Sequence, residues 1–191
     1  MKNHKNIIWL GGTRDDAAGE AFDKVAKMLG LPYPGGPLVD KNAALGNPDK
    51  FKFPMSEMKD FEYSFSGIKT SVLYFLQAQK KLNPHFIEEN LFDICASVQH
   101  TIVKTLLLKL EKAAKAYKIK HIGIAGGVSA NSALRKALIE SGEKNNWQVY
   151  IPKFEYCTDN AAMIGITAYY KYLKGQFCDL TTTPSARAIW A

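Results

Sequence analysis

Four short stretches carry side chains whose types and spacing suit chemistry on a phosphorylated ligand. The first, IAGGVSANSALR at 124–135, runs from an apolar segment through Gly126 and Gly127 to Asn131 and a helical pattern. Ligands of open α/β sheets sit at the carboxyl ends of strands, and helix N-termini there present unpaired N–H groups to anions. Gly126 and Gly127 would let the backbone approach a nucleotide, with Asn131 reading a hydroxyl or a ring. Two glycines turning a corner before a plain asparagine N-cap fit the same letters. The second stretch, CTDNAAM at 157–163, puts Asp159 where a loop enters a helix. A carboxylate exposed there suits a metal ion, or equally a helix cap or Asx turn. In the third, SFSGIKTS at 64–71, hydroxyls, Gly67 and Lys69 at a helix start suit a phosphate. The alternative is Ser66 as N-cap beside a solvated lysine. The fourth groups Asp23, Gly35, Gly36 and Asp40 around a proline-glycine loop. Those carboxylates suit ribose hydroxyls, or are solvated helix faces.

Other chemistries find less support. His4, His85, His100 and His121 show no HxxxH or HExxH spacing, and His100 falls inside a helical pattern as a core or surface residue. No Ser/His/Asp order, activated cysteine, Walker A loop or GxGxxG stands out, so no catalytic side chain is identifiable. Cys95, Cys157 and Cys178 are odd in number and form no CxxC pair, which points to free thiols rather than a disulfide frame or zinc knot. The net charge of +7, from 25 basic and 18 acidic residues, suits an anionic partner such as RNA or a nucleotide.

The elements that must position these residues follow from hydrophobic periodicity. The 191 residues, 47% hydrophobic, can bury a core as one domain or two small lobes. Residues 15–30 have apolar positions at helical spacing, with Thr13 and Asp16 placed as a capping box and Gly30 as the stop. After the rigid LPYPGGP loop a second helix is predicted over 37–46, and 47–66 reads as irregular. Helices follow from Ser66 or Gly67 to about 80 and over 88–117, the latter as one long helix or two joined. A strand over 120–125, a helix over 131–144 and a strand over 147–152 make a βαβ unit, so part of the sheet is parallel and covered by helices. A last helix is predicted over 160–174, before a tail without period. The apolar run 106–108 is cut by Lys104 and Lys109, which argues against a membrane span, and the leader MKNHKNIIWLGG lacks a signal peptide's apolar core. The chain therefore reads as cytoplasmic.

Taken in series, DDAAGEAFDKVAKMLGLPYPGGP, YSFSGIKTS, GGVSANSALR and CTDNAAM resemble the tRNA N6-adenosine threonylcarbamoyltransferase family, formerly O-sialoglycoprotein endopeptidase or glycoprotease. The resemblance implies an α/β fold of the actin, sugar-kinase and Hsp70 type. This chain would form one lobe of it, with a parallel βαβ unit and several covering helices. It implies transfer of a threonylcarbamoyl group from threonylcarbamoyl-AMP to N6 of the adenosine beside the tRNA anticodon. By position, Asp23, Gly36, Asp40 and Asn131 match residues that hold the adenylate, Gly126 and Gly127 the phosphate turn, and Asp159 a ligand of one iron or zinc ion. The implied partners are tRNA and, in bacteria, an inactive paralogue and a P-loop ATPase.

The sequence departs from the family pattern in lacking the HxxxH metal pair and the Gly-Gly-His-Thr phosphate turn. The expectation is therefore a C-terminal fragment that is inactive alone, does not retain the metal, and self-associates through an exposed lobe face. Its expected layout is a leader (1–14), a lobe with helical (15–118) and βαβ (119–175) parts, and a tail (176–191). A non-catalytic nucleotide- or partner-binding module is the alternative reading. A metallopeptidase, which the older family name suggests, has no HExxH to support it.

Overall fold

The protein is described by a computed structural model over residues 7–183, so the first six leader residues and 184–191 of the tail lie outside the described residues. Helix α1, Ala18–Met28, buries Ala21, Phe22, Val25 and Ala26 on one stripe. It ends in a Schellman closure: Gly30 N–H donates to the Lys27 carbonyl and Leu31 N–H to that of Ala26. Helix α2, Gly35–Ala43, lies against α1 and against α4, Phe86–Tyr117. Helix α3, Ser66–Leu82, completes the helical layer. Around these, Ile68, Val72, Ile94, Val98 and Ile102 form a dry centre, and Phe51, Phe75 and Phe86 close one side with ring centroids 5.1–5.8 Å apart.

The predicted βαβ unit is present. Strands β1, His121–Gly123, and β2, Gln148–Tyr150, pair in parallel with Ile122 opposite Val149, and α5, Ser132–Asn145, joins them. One face of this pair is covered: Ile122 and Leu138 pack with Ala114, Leu107 and Leu110 of α4. The other face presents His121 and Tyr150, both exposed and stacked at 6.1 Å. Helix α6, Ala161–Tyr172, adds no cover, since every one of its residues is exposed. The sheet thus has fewer covering helices than the sequence suggests. A mostly apolar helix reads the same by periodicity whether or not anything is packed on it.

Helix α4 is single and continuous, and its 32 residues span about 48 Å at 1.5 Å per residue. Its first half sits in the helical core and its second in the sheet core. It also corrects the membrane reading: by length and composition alone α4 is long and apolar enough to cross a bilayer. Its apolarity is accounted for by serving two cores at once, a demand that residues 106–108 alone do not reveal.

Several predicted helix starts shift, and each shift has a cause. Thr13 does not cap α1; its hydroxyl donates to the Asp16 carbonyl and accepts from Asp15 N–H, closing a turn before the helix begins at Ala18 with no side-chain cap. Helix α2 starts at Gly35 rather than at 37, because Asp23 takes the first two N–H groups. Ser66 is the first residue of α3 and not its N-cap, a position held by Phe65.

The carboxylate that meets the start of α3 is Asp15, some 50 residues away. It accepts from the Ser64 and Ser66 hydroxyls and from the backbone N–H groups of Phe65 and Ser66 at 2.8 and 3.2 Å. The helix start read as a phosphate grip is therefore filled by the chain's own anion, and Lys69 pairs with Asp16 at 3.8 Å. Burial pushes the Asp15 carboxyl up, but the hydrogen bonds outweigh it and hold the group at about 2, below its ordinary 3.8. Because the folded value is the lower, this stabilisation is full above pH 3.8 and is lost as pH falls through about 2. Discounted for solvent exposure, Asp15→Ala lowers unfolding free energy by about 1 kcal/mol at pH 7, the size of a lost cap. In urea titrations the variant and the unmutated chain converge between pH 4 and pH 2; parallel curves would show that Asp15 is no latch.

Candidate functional site

The residues matched to the adenylate meet where α1, α2 and the start of α5 come together. Asp23, half-buried on α1, accepts with Oδ1 from Gly35 N–H at 2.8 Å and Gly36 N–H at 3.0 Å. Its Oδ2 has no partner among the described residues. Gly35 is required by packing: a Cβ there would lie 2.3 Å from the Ala26 Cβ and 3.1 Å from the Asp23 Cα. Gly36 is not so required, since a Cβ would meet only the Phe22 Cβ at 3.9 Å. The backbone at Gly36 therefore lies open on the side away from α1.

One turn further along α2, Asp40 reaches the start of α5. Its Oδ2 accepts from Ser132 N–H at 2.9 Å and its Oδ1 from the Ser132 hydroxyl at 2.7 Å. Asn131, the buried residue before Ser132, is the N-cap: its Oδ1 accepts from Leu134 N–H at 2.9 Å. Its amide donates to Gln99 Oε1 of α4 at 2.7 Å, tying the βαβ unit to the helical core. The capping reading of Asn131 is thus realised in full, and both of its polar atoms are engaged.

Ahead of Asn131 the chain makes a short 3-10 turn, Gly127–Ala130, which the sequence reading lacked. Gly126 enters it at φ +81°, a backbone conformation that disfavours any other residue. Gly127 is exposed with nothing within 4 Å of a would-be Cβ, so neither packing nor conformation demands glycine there. The Val128 side chain anchors this turn on α1, close beside Gly19.

Asp159 stands apart. It is exposed, and no hydrogen bond or ion pair among the described residues joins it to the other six positions. The cap of α6 is its neighbour Asn160, which accepts from Met163 N–H at 2.9 Å, so Asp159 is left without a structural duty. Among the described residues no three His, Cys, Asp or Glu side chains converge to hold a metal ion, and a lone exposed carboxylate does not fit a metal centre by itself. Nor is a reactive thiol evident in the core: burial pushes Cys95 up to about 12.

Three residues of this region escaped the sequence reading. Ser132 and Gln99 are the partners of Asp40 and Asn131, and Arg135 bridges the turn to the loop before Asp159. Gln99 leaves one usable signal, a polar residue on the buried stripe of a long helix. Arg135 leaves another, a cation in the first turn of a helix, where the dipole disfavours it.

Comparison with known proteins agrees with the motif series. The family model for tRNA N6-adenosine threonylcarbamoyltransferase matches residues 1–166. Curated proteins of that name are similar to this chain. That of Riemerella anatipestifer is 54% identical over 98% of this chain and 55% of its own length. That of Christiangramia forsetii is 57% identical over 93% and 52%, and that of Cytophaga hutchinsonii 51% over 98% and 54%. The chain thus spans about half the length of the curated relatives it matches.

The two neighbouring glycines separate packing from openness experimentally. Gly35→Ala forces α1 and α2 apart and costs about 1–3 kcal/mol, as overpacking does. Gly36→Ala leaves unfolding free energy within about 0.5 kcal/mol of the unmutated chain, as an unconstrained surface change does. Equal losses in denaturant titrations would show that Gly36 is a packing residue too.

Proposed function

The chain belongs to the tRNA N6-adenosine threonylcarbamoyltransferase family, and we propose that its residues build one wall of the site for threonylcarbamoyl-AMP. One observation carries the reading. Asp23 on α1 holds the Gly36 N–H of α2, and Asp40, one turn further along α2, holds Ser132, the residue that follows Asn131 at the start of α5, so the four positions meet where three helices come together. The free Oδ2 of Asp23 is suited to accept from a ribose hydroxyl, because Oδ1 alone serves the backbone. The open backbone at Gly36 and Gly127 lets a flat or phosphorylated group approach without meeting a side chain.

In the transfer reaction the adenine N6 amine of tRNA attacks the carbonyl of a mixed anhydride, and AMP leaves. This chain's part is to hold the adenylate and to place backbone N–H groups beside the departing phosphate, which favours its negative charge. No covalent protein nucleophile is needed. Asp159 is offered as one ligand of the single iron or zinc ion that the family resemblance implies. The remaining donors match nothing in this sequence, and neither does the Gly-Gly-His-Thr turn. Adenylate binding is therefore proposed for this chain, and completed transfer only for an assembly that also supplies those groups. tRNA, an inactive paralogue and a P-loop ATPase in the cytoplasm are the partners in that assembly. The +7 charge favours the RNA. Exposed apolar α6 is the surface offered for self-association; a clean monomer by sedimentation at micromolar concentration would remove it.

Calorimetric titration of AMP into the chain tests the reading directly. The chain binds, and Asp23→Ala and Gly36→Ala each weaken affinity by about tenfold, equivalent to about 1.4 kcal/mol. Gly36→Ala is the sharper probe because it leaves the fold intact. Affinity unchanged in both variants, or no binding at all, would defeat the proposal.

A further inference from the structure

Arg135 sits in the first turn of α5, where its charge opposes the helix dipole. Its tertiary contacts account for the choice. Nε donates to the Ser129 carbonyl at 2.7 Å, inside the Gly127–Ala130 turn. Nη2 donates to the Pro152 carbonyl, just past β2, at 2.7 Å and lies 3.2 Å from the Cys157 Sγ. The guanidinium carbon lies 4.0 Å from the centroid of the Phe154 ring. One planar group therefore spans two segments, 126–131 and 152–157, between which no other hydrogen bond or ring contact runs among the described residues.

The Ser129 hydroxyl is buried and has no partner, so the turn is gripped through its carbonyl and not through its own side chain. On the far side the Cys157 thiol, itself buried, donates weakly to the Lys153 carbonyl and faces the guanidinium. We infer that Arg135 is a positioning residue that locks the Gly126–Gly127 turn to the loop carrying Asp159, so that the two segments open and close as one unit. Asp159 is two residues beyond Cys157, and Gly127 two before Ser129. The lock thus fixes the spacing between the backbone turn and the free carboxylate. Its bearing on ligand binding rests on the adenylate reading above; the mechanical coupling does not.

Lysine cannot replace this arrangement. A guanidinium offers five N–H donors in a rigid fork and a flat face for stacking, whereas an ammonium is a point charge on a flexible stem. Hydrogen exchange measured by mass spectrometry on the whole chain tests the lock. In both Arg135→Ala and Arg135→Lys, exchange in 126–131 and 153–160 speeds up together by about tenfold or more, the size of losing hydrogen bonds from a charged donor. Peptides from α1 and α3 keep their rates. Loosening of one segment alone, full rescue by lysine, or no change overturns the inference.

If the variants unfold globally, the unmutated chain supplies the test. Alkylation of Cys157 by iodoacetamide and amide exchange in 126–131 then report one opening equilibrium, so added urea accelerates both equally. Divergence by more than about tenfold, or 1.4 kcal/mol of opening free energy, sinks the coupling. The AMP titration stays separate: coupling without AMP binding would refute the adenylate reading and leave the lock standing.

Discussion

The first turn of every helix leaves backbone N–H groups without an intrahelical partner, and three helices here have theirs met by carboxylates from elsewhere in the chain. Asp15 reaches α3 across about 50 positions, Asp23 reaches α2 across 12, and Asp40 reaches α5 across 92. A local cap stabilises only its own helix. A distant carboxylate also fixes where that helix stands, because the N–H groups and the dipole both attract it along the axis. The packing of α2 on α1, and of α5 on α2, is therefore specified by polar contacts as well as by the apolar core. Among the described helices only α5 and α6 carry a local asparagine cap, and of the two only α5 also receives a distant carboxylate.

The second organising element is α4, which belongs to both cores. Ile94, Val98 and Ile102 fill the helical cluster, while Ala114 and the neighbouring Leu107 and Leu110 face the sheet. Gln99, next to Val98 on α4, takes the Asn131 amide, so the polar contact between the halves is satisfied where α5 begins. An unpaired buried amide there would cost about 1–3 kcal/mol, which favours one register of α5 against α4 over its alternatives. The candidate site sits on this contact. Residues 131 and 132 bind the βαβ unit to α4 and α2 while lying beside the Gly126–Gly127 turn.

Periodicity made most of the helices and the parallel pairing legible, because each leaves a local pattern of apolar residues, and the lack of any period marked 47–66 as irregular, one residue into α3. What stayed hidden was long-range polar pairing. Asp15 in sequence resembles any solvated acid before a helix, and its serine partners resemble a phosphate grip until the fold brings the two together. The role of Arg135 is hidden in the same way: its three acceptors are two carbonyls and a sulfur, none of which has a sequence signature. The helix predicted over 160–174 forms as α6, but its mostly apolar residues resemble those of a covered helix, and only the fold shows that nothing among the described elements buries them. Within the site, Asp23, Gly36, Asp40 and Asn131 were reached through family motifs. Their contacts with Gly35, Ser132 and Gln99 were not visible from composition or spacing.

The carboxylates at 23 and 40 complicate any division between structural and ligand-binding residues. A group that satisfies helix N–H donors sits, by that fact, where the local field favours negative charge and where hydroxyl donors find a strong acceptor. Asp23 divides the two duties between its oxygens, with Oδ1 holding Gly35 and Gly36 and Oδ2 left over. Asp40 does not, since both oxygens are turned to Ser132. A ligand can use Asp23 without loosening α2, but to use Asp40 fully it must compete with the start of α5. The two aspartates therefore stand differently towards the adenylate proposed for this site: Asp23 has a free acceptor oxygen, and Asp40 holds the start of α5 in place.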